Sequence, residues 1–259
     1  LSAGARPEAK EFFLKVLKEH NDGHVLKKAL FFLGQKMQAK EYAEDIFGLL
    51  EHPYDDVKEA ALEACIALGN EVFASRFRDM FTSAEPLCRL MAVYAFGKLG
   101  IDIYNEELKK ALSDEVPDIR KIALESLGSD LERCEQAISS FIPLLNDENR
   151  EVRLTLVEIL GKCHSEQTVP YMLESLNDED VWVRIRAMEA LAERRIEKAV
   201  DKIIPLLDDE NKLLNLKSIE ALGKIGGQSA FNALLGVLDK DDPELQESAE
   251  KALNMLDSQ

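Results

Sequence analysis

Apolar side chains recur along this chain at three- and four-residue intervals, in short runs that themselves repeat. With an anchor at Val25, Val57, Cys88, Ile119, Val152, Val183, Leu214 and Leu245, successive anchors lie 31–33 residues apart. Four residues past the anchor stand Ala29, Ala61, Ala92, Ala123, Leu156, Ala187, Ser218 and Ala249; eight past it stand Leu33, Cys65, Phe96, Leu127, Leu160, Leu191, Leu222 and Leu253. Apolar residues at these offsets form one stripe of an amphipathic helix, termed helix B. A second stripe eleven and seven residues before the anchor (Ile203 and Leu207, Leu234 and Leu238) marks a helix A ahead of it. Between the stripes, Asp22, Glu85, Asn149, Asp180, Asn211 and Asp242 are placed to cap helix B, and Pro86, Pro117 and Pro243 follow where a missing N–H costs nothing. Nine past the anchor come Gly34, Gly97, Gly128, Gly161 and Gly223. The pattern predicts about eight helix–turn–helix units of about 31 residues and no strand. One such unit cannot bury both its stripes, so neighbours must stack.

Composition narrows what the stack can serve. The chain has 259 residues and a formal net charge of −17, with 46% hydrophobic residues, 7% aromatics and one Trp. That acidity argues against nucleic acid and anionic lipid as partners, because both require a basic face. No run approaches the roughly 20 apolar residues of a membrane span. Residues 1–6 read as a tag or linker remnant, and residues 7–259 as a single solenoid. Pro143 and Pro205 fall inside helix A, where a kink or a late helix start is expected. Irregular units are expected around Phe73–Met80 and Asp130–Gln136.

The runs Leu145–Arg153, Leu176–Arg184 and Glu220–Gly226 resemble HEAT repeats, and more narrowly the short bacterial and archaeal subtype named after phycobilisome lyases. The resemblance covers roughly residues 8–256. It implies an all-α, right-handed α-solenoid (α-α superhelix) and says little about function. It also implies a ladder of Asp–Arg pairs between the loops and helix B, here Asp114/Arg120, Asp147/Arg153 and Asp178/Arg184. Leu26, Lys58, Asn215 and Gln246 depart from the Arg of that pattern.

Little in the chain signals catalysis. Cys65, Cys88, Cys134 and Cys163 form no Cys-x-x-Cys; three of them fall at apolar helix positions and read as reduced core residues, which favours the cytoplasm. His20 and His24 have metal-like spacing, but the turn at 21–23 breaks their shared face, so no metal is expected. Deoxyhypusine hydroxylase, an enzyme of HEAT-like architecture, holds two irons with His-Glu dipeptides; this chain has none. No Gly-x-Ser-x-Gly, phosphate-cradling glycine loop or His-Glu-x-x-His is present. No catalytic residue and no cofactor are assigned.

The candidate site lies on helix B. In solenoids of this kind helix B lines the concave face. Its outward column includes Glu125, Glu158, Glu189 and Glu220 in four consecutive units. Two past the anchor, a normally polar position holds Leu154, Ile185 and Leu216 in units 5–7, and one before it stand Trp182 and Leu213. Together these five predict an exposed apolar ridge, with Arg186 beside it able to stack on an aromatic or pair with Glu158 or Glu189. Residues 131–259 carry a net −11 against −6 for residues 1–130. An apolar ridge with an acidic rim fits a basic amphipathic helix. The sequence therefore reads as a non-enzymatic interaction scaffold or adaptor for a protein or peptide partner, part of a larger assembly or a homo-oligomer. An enzyme subunit resembling chromophore lyases and a purely structural or self-associating solenoid are the alternatives.

Overall fold

The computed structural model describes residues 7–129 and 131–257. The expected remnant at 1–6 and the Asp130 end of one expected irregular segment lie outside the described residues. The described chain is all-α, with sixteen α-helices and no strand. It divides into two compact units, Leu1–Leu108 and Lys109–Gln259.

The first unit holds α1 (Pro7–Glu19), α2 (Gly23–Phe31), α3 (Ala43–Gly48), α4 (Asp55–Leu68), α5 (Asn70–Phe81) and α6 (Pro86–Leu99), and α7 (Asn105–Ala111) begins in it. The second holds α8 (Pro117–Leu127), α9 (Leu131–Phe141), α10 (Arg150–Lys162), α11 (Val169–Ser175), α12 (Val181–Glu193), α13 (Val200–Ile203), α14 (Lys212–Ile225), α15 (Gln228–Val237) and α16 (Pro243–Asp257). Every anchor falls on an even-numbered helix, so the sixteen helices are eight A–B pairs. Within the units each B helix packs on the next, α2 on α4 on α6 and α8 on α10 on α12 on α14 on α16. This is the all-α solenoid arrangement, and each buried face is the apolar stripe read from the sequence.

The caps act as their positions require. The side chains of Asp22, Asn149, Asp180, Asn211 and Asp242 each accept backbone N–H groups of the first turn of helix B, each satisfying donors that would otherwise be orphaned. Glu85 holds the cap position without a side-chain cap bond, and Pro86, Pro117 and Pro243 open α6, α8 and α16. The internal prolines fall at the ends of α9 and α13 rather than at their starts. They end helix A early: Ile142–Asn146 and Ile204–Asp208 are 3₁₀ turns following α9 and α13. A proline cannot donate the i→i−4 bond, and a short 3₁₀ turn accommodates that loss. The segment expected to be irregular around Phe73 is the regular α5, whose buried Phe73 and Phe77 pack with Phe47.

The glycine column has a steric cause. A Cβ on Gly34, Gly161 or Gly223 would lie 2.7, 2.8 or 2.7 Å from the Cβ of Ala64, Ala190 or Ala252, and one on Gly128 would lie 2.5 Å from Ile159 Cγ2. Each glycine thus lets its B helix approach the next one closely, against the residue seven past that neighbour's anchor.

Candidate functional site

The turns between helices A and B hold the ladder implied by the sequence pattern, in a different arrangement. Arg120 Nη1 donates to the carbonyl of Asp114, while its Nε and Nη2 grip the Asp147 carboxylate of the next repeat at 2.7 and 2.6 Å. Arg153 donates to the carbonyl of Asp147 and grips Asp178 at 2.8 and 3.0 Å. The carboxylate partner is therefore one repeat further on than the pattern suggested, and the same-repeat bond goes to the main chain. The guanidinium and carboxylate are almost wholly buried in both pairs, and Asp147 and Asp178 raise the pKa of the arginines that they hold. Arg184 follows the scheme more loosely, with Asp209 at 3.6 Å. Asn215 and Gln246, which broke the sequence pattern, still donate to the carbonyls of Asp209 and Lys240, six residues before each. From Arg89 to Gln246 the column keeps a donor to the carbonyl six residues before it, while Leu26 cannot donate and Lys58 pairs with Asp55. The ion pair is added where the next repeat offers an aspartate, and unit 8 offers Lys240 instead. This ladder is structural.

The outward face of helix B in the second unit carries the candidate site. Trp182, on the first turn of α12, is 52% exposed, and Leu213 at the same position of α14 is 37% exposed. Leu154 and Leu216 are half-buried, and Ile185 is buried at 3%. The expected five-residue ridge thus reduces to two exposed members with half-buried flanks. Ile185 is lost to it because α12 lies between α10 and α14, and its side chain closes into the packed interior.

The glutamate column is also corrected. Arg186 Nε lies 3.2 Å from Glu158 and its Nη1 3.1 Å from Glu189. Lys217 reaches Glu189 at 3.3 Å and Glu220 at 3.1 Å, and Lys224 reaches Glu220 at 2.9 Å. Lys224 and Lys217 hold the Glu220 carboxyl below its ordinary pKa. Three carboxylates meet three cations across α10, α12 and α14, so this column is a neutralised ladder rather than an open negative stripe. Arg186 pairs as the sequence suggested. Glu125 is exposed and has no ion pair among the described residues. Lys217 and Lys224 escaped the sequence reading because only the glutamate column was followed; both lie three or four residues from Glu220, the spacing of helical ion pairs.

Further acidity lines the A–B turns, where Glu179 accepts from Arg153 at 3.0 Å and Glu148 lies 3.7 Å from Arg120. Glu115, Glu148, Glu179, Glu210 and Asp241 occupy the tips of five successive A–B turns, all exposed. They stand at the N-termini of the B helices, which favour negative charge, and they lie three residues before the position of Trp182 and Leu213. An open cleft of about 370 Å³ between α10 and α12 is lined by Glu158, His164, Arg186 and Glu193 over a floor of Gly161 and Ala190. Among the described residues no group of three or more His, Cys, Asp or Glu is placed to hold a metal ion. His20 and His24 flank the turn that separates α1 from α2, so they do not share a helix face. Among the described residues no helix is long and apolar enough to cross a membrane.

A family model of HEAT repeats matches residues 105–183 and 169–254. It describes HEAT repeats at large, a broader class than the lyase-type subtype. No curated protein matches the chain. Among solved structures, the Escherichia coli protein YibA is 18% identical with a TM-score of 0.60, over 94% of this chain and 92% of that one. An engineered protein is 18% identical with a TM-score of 0.51, over 96% and 79%. Human deoxyhypusine hydroxylase in complex with glycerol is 18% identical over 98% and 86%, at a TM-score of 0.42 that bears on neither fold detail nor chemistry. The matched repeats span more than half of the sequence, and the chain belongs to the HEAT-repeat family.

Proposed function

We propose that this protein is a non-catalytic scaffold or adaptor that binds a segment of another protein along the B-helix face of α10, α12 and α14. The observation that carries the reading is Trp182, more than half exposed on a first helical turn with Leu213 exposed at the same position one repeat on. Large aromatic side chains at such positions are favoured anchors of protein interfaces. The turn-tip carboxylates beside them give the apolar pair an acidic rim. The partner is then a segment with apolar side chains flanked by Lys or Arg, and its long-range attraction speeds encounter more than it tightens the complex.

Because Trp182 is the chain's single tryptophan, its emission reports on the site directly. A basic amphipathic peptide titrated into the protein should shift the emission to the blue and protect it from iodide quenching. A Leu213→Glu variant should lose both effects while keeping its helicity. Emission that is already blue and shielded in the free protein, or a titration without response, would overturn the proposal.

A further inference from the structure

We infer that the first helix pair carries a second docking surface, and that its occupant is a protein segment presenting apolar side chains flanked by carboxylates. Four phenylalanines meet there. Phe12 is 62% exposed, Phe31 41% and Phe32 38%. Phe13 stacks on Phe32 with ring centroids 4.9 Å apart, and Phe12 and Phe31 meet this pair edge-on at 5.4 and 5.7 Å. A cluster of exposed aromatic side chains is costly to leave in water and marks an interaction site.

The repeat register argues against a second copy as the occupant. In later repeats the residue seven past the anchor is Ala64, Ile159, Ala190 or Ala252, lying against a glycine of the preceding repeat. In the first repeat that position is Phe32, on the five-residue π turn Phe32–Lys36 that continues α2. The last repeat carries Asn254 where the glycine should stand. A second copy stacked with its α16 on this α2 would set Asn254 against Phe32, in a gap that elsewhere takes glycine against alanine or isoleucine.

Charge chooses the chemistry of the partner. From Gly23 to Lys40 the chain holds Lys27, Lys28, Lys36 and Lys40 and no acidic residue. Lys27 pairs with Asp56 and Lys40 with Glu71. Lys28 is exposed without a carboxylate partner among the described residues, and Lys36 lies 5.3 Å from the Phe31 ring centroid. Both stand on the α2 side of the patch. On the α1 side Lys15 is paired with Glu19, and Glu8 and Glu11 are exposed, so the cationic edge is the one formed by α2. Carboxylates on the partner would meet Lys28 and Lys36 while apolar side chains cover Phe12 and Phe31.

The test uses the full chain and two labelled amphipathic helical peptides with the same leucine stripe, one flanked by Glu and one by Lys. Fluorescence anisotropy of the label should show the Glu peptide binding and weakening as salt rises. Lys28→Glu/Lys36→Glu should weaken it about tenfold or more, and Phe12→Ser/Phe31→Ser should abolish it, while Trp182 emission stays unchanged. That last readout separates this surface from the one on α12 and α14. The charge variant keeps the aromatic face, so it decides the matter even if the Phe variant unfolds. Failure of the Glu peptide to bind, or equal binding by the charge variant, overturns the inference. Self-association of the wild type abolished by Phe12→Ser would assign the face to a second copy. Sedimentation with anionic vesicles abolished by the same change would assign it to lipid. Either result also overturns the inference.

Discussion

The Arg–Asp ladder yields a quantitative prediction because the protein contains its own neutral version. Arg153 holds four bonds: two to the buried Asp178 carboxylate, one to the Asp147 carbonyl at 2.7 Å and one to Glu179 at 3.0 Å. Arg153→Gln can keep the carbonyl bond, as Gln246 does with Lys240, but it strands Asp178, whose side chain is only 9% exposed. An uncompensated buried charge of this kind costs about 3–5 kcal/mol. For a chain of this size that is a fall in Tm of about 6–20 °C, at about 2–4 °C per kcal/mol. Asp178→Asn added to Arg153→Gln removes the stranded charge and leaves an oxygen to accept the Asp180 N–H, which Asp178 now binds at 2.8 Å. The double variant should therefore recover most of the loss, to within about 1–2 kcal/mol of the wild type. The assay is urea unfolding of all four proteins, followed by circular dichroism and by Trp182 emission, closed as a double-mutant cycle. Arg184→Gln is the internal control, since its 3.6 Å partner is partly exposed, and it should cost about 1 kcal/mol. If Arg153→Gln cost less than about 1 kcal/mol, or the double variant were as unstable as the two single losses added, the ladder reasoning would be wrong.

Three further outcomes are expected. Gly161→Ala should destabilise by about 1–3 kcal/mol despite alanine's better helix propensity, because the new Cβ would lie 2.8 Å from Ala190; Gly236→Ala, with nothing within 4 Å, should stabilise by about 0.5–1 kcal/mol, and thermal melts of both read the contrast. In a native thiol-labelling time course followed by mass spectrometry, the half-buried Cys88 should react first. Cys65, whose pKa burial pushes up to about 12, should stay unlabelled until unfolding. Glu220 has a folded pKa below its ordinary 4.5, so its contribution to stability is present above that value and is lost as pH falls through the folded pKa. Stability measured from pH 7 to pH 3 should thus fall less for Glu220→Gln than for the wild type, and an equal fall would exclude this linkage.

The one-dimensional pattern determined the architecture. Eight anchors at nearly constant spacing mark eight A–B pairs, and capping residues and prolines mark where each helix B begins, because helix periodicity and capping are local physics. What lies across the groove between repeats depended on packing. Ile185 and Trp182 are three residues apart on one helix, yet one closes into the interior and the other faces solvent, and only the position of α14 and α10 beside α12 decides which. The glutamate column looks like open negative charge when it is read alone, because its cations stand at other offsets: Arg186, Lys217 and Lys224 lie three or four residues from Glu189 and Glu220 on the same helices, and packing adds the bridges from Arg186 to Glu158 and from Lys217 to Glu189. The ladder reached one repeat further than its sequence spacing suggested, since an arginine spans between stacked turns as easily as within one. The aromatic end of α1 and α2 went unread for a related reason: a phenylalanine in a stripe counts as core until the structure shows that no neighbour covers it.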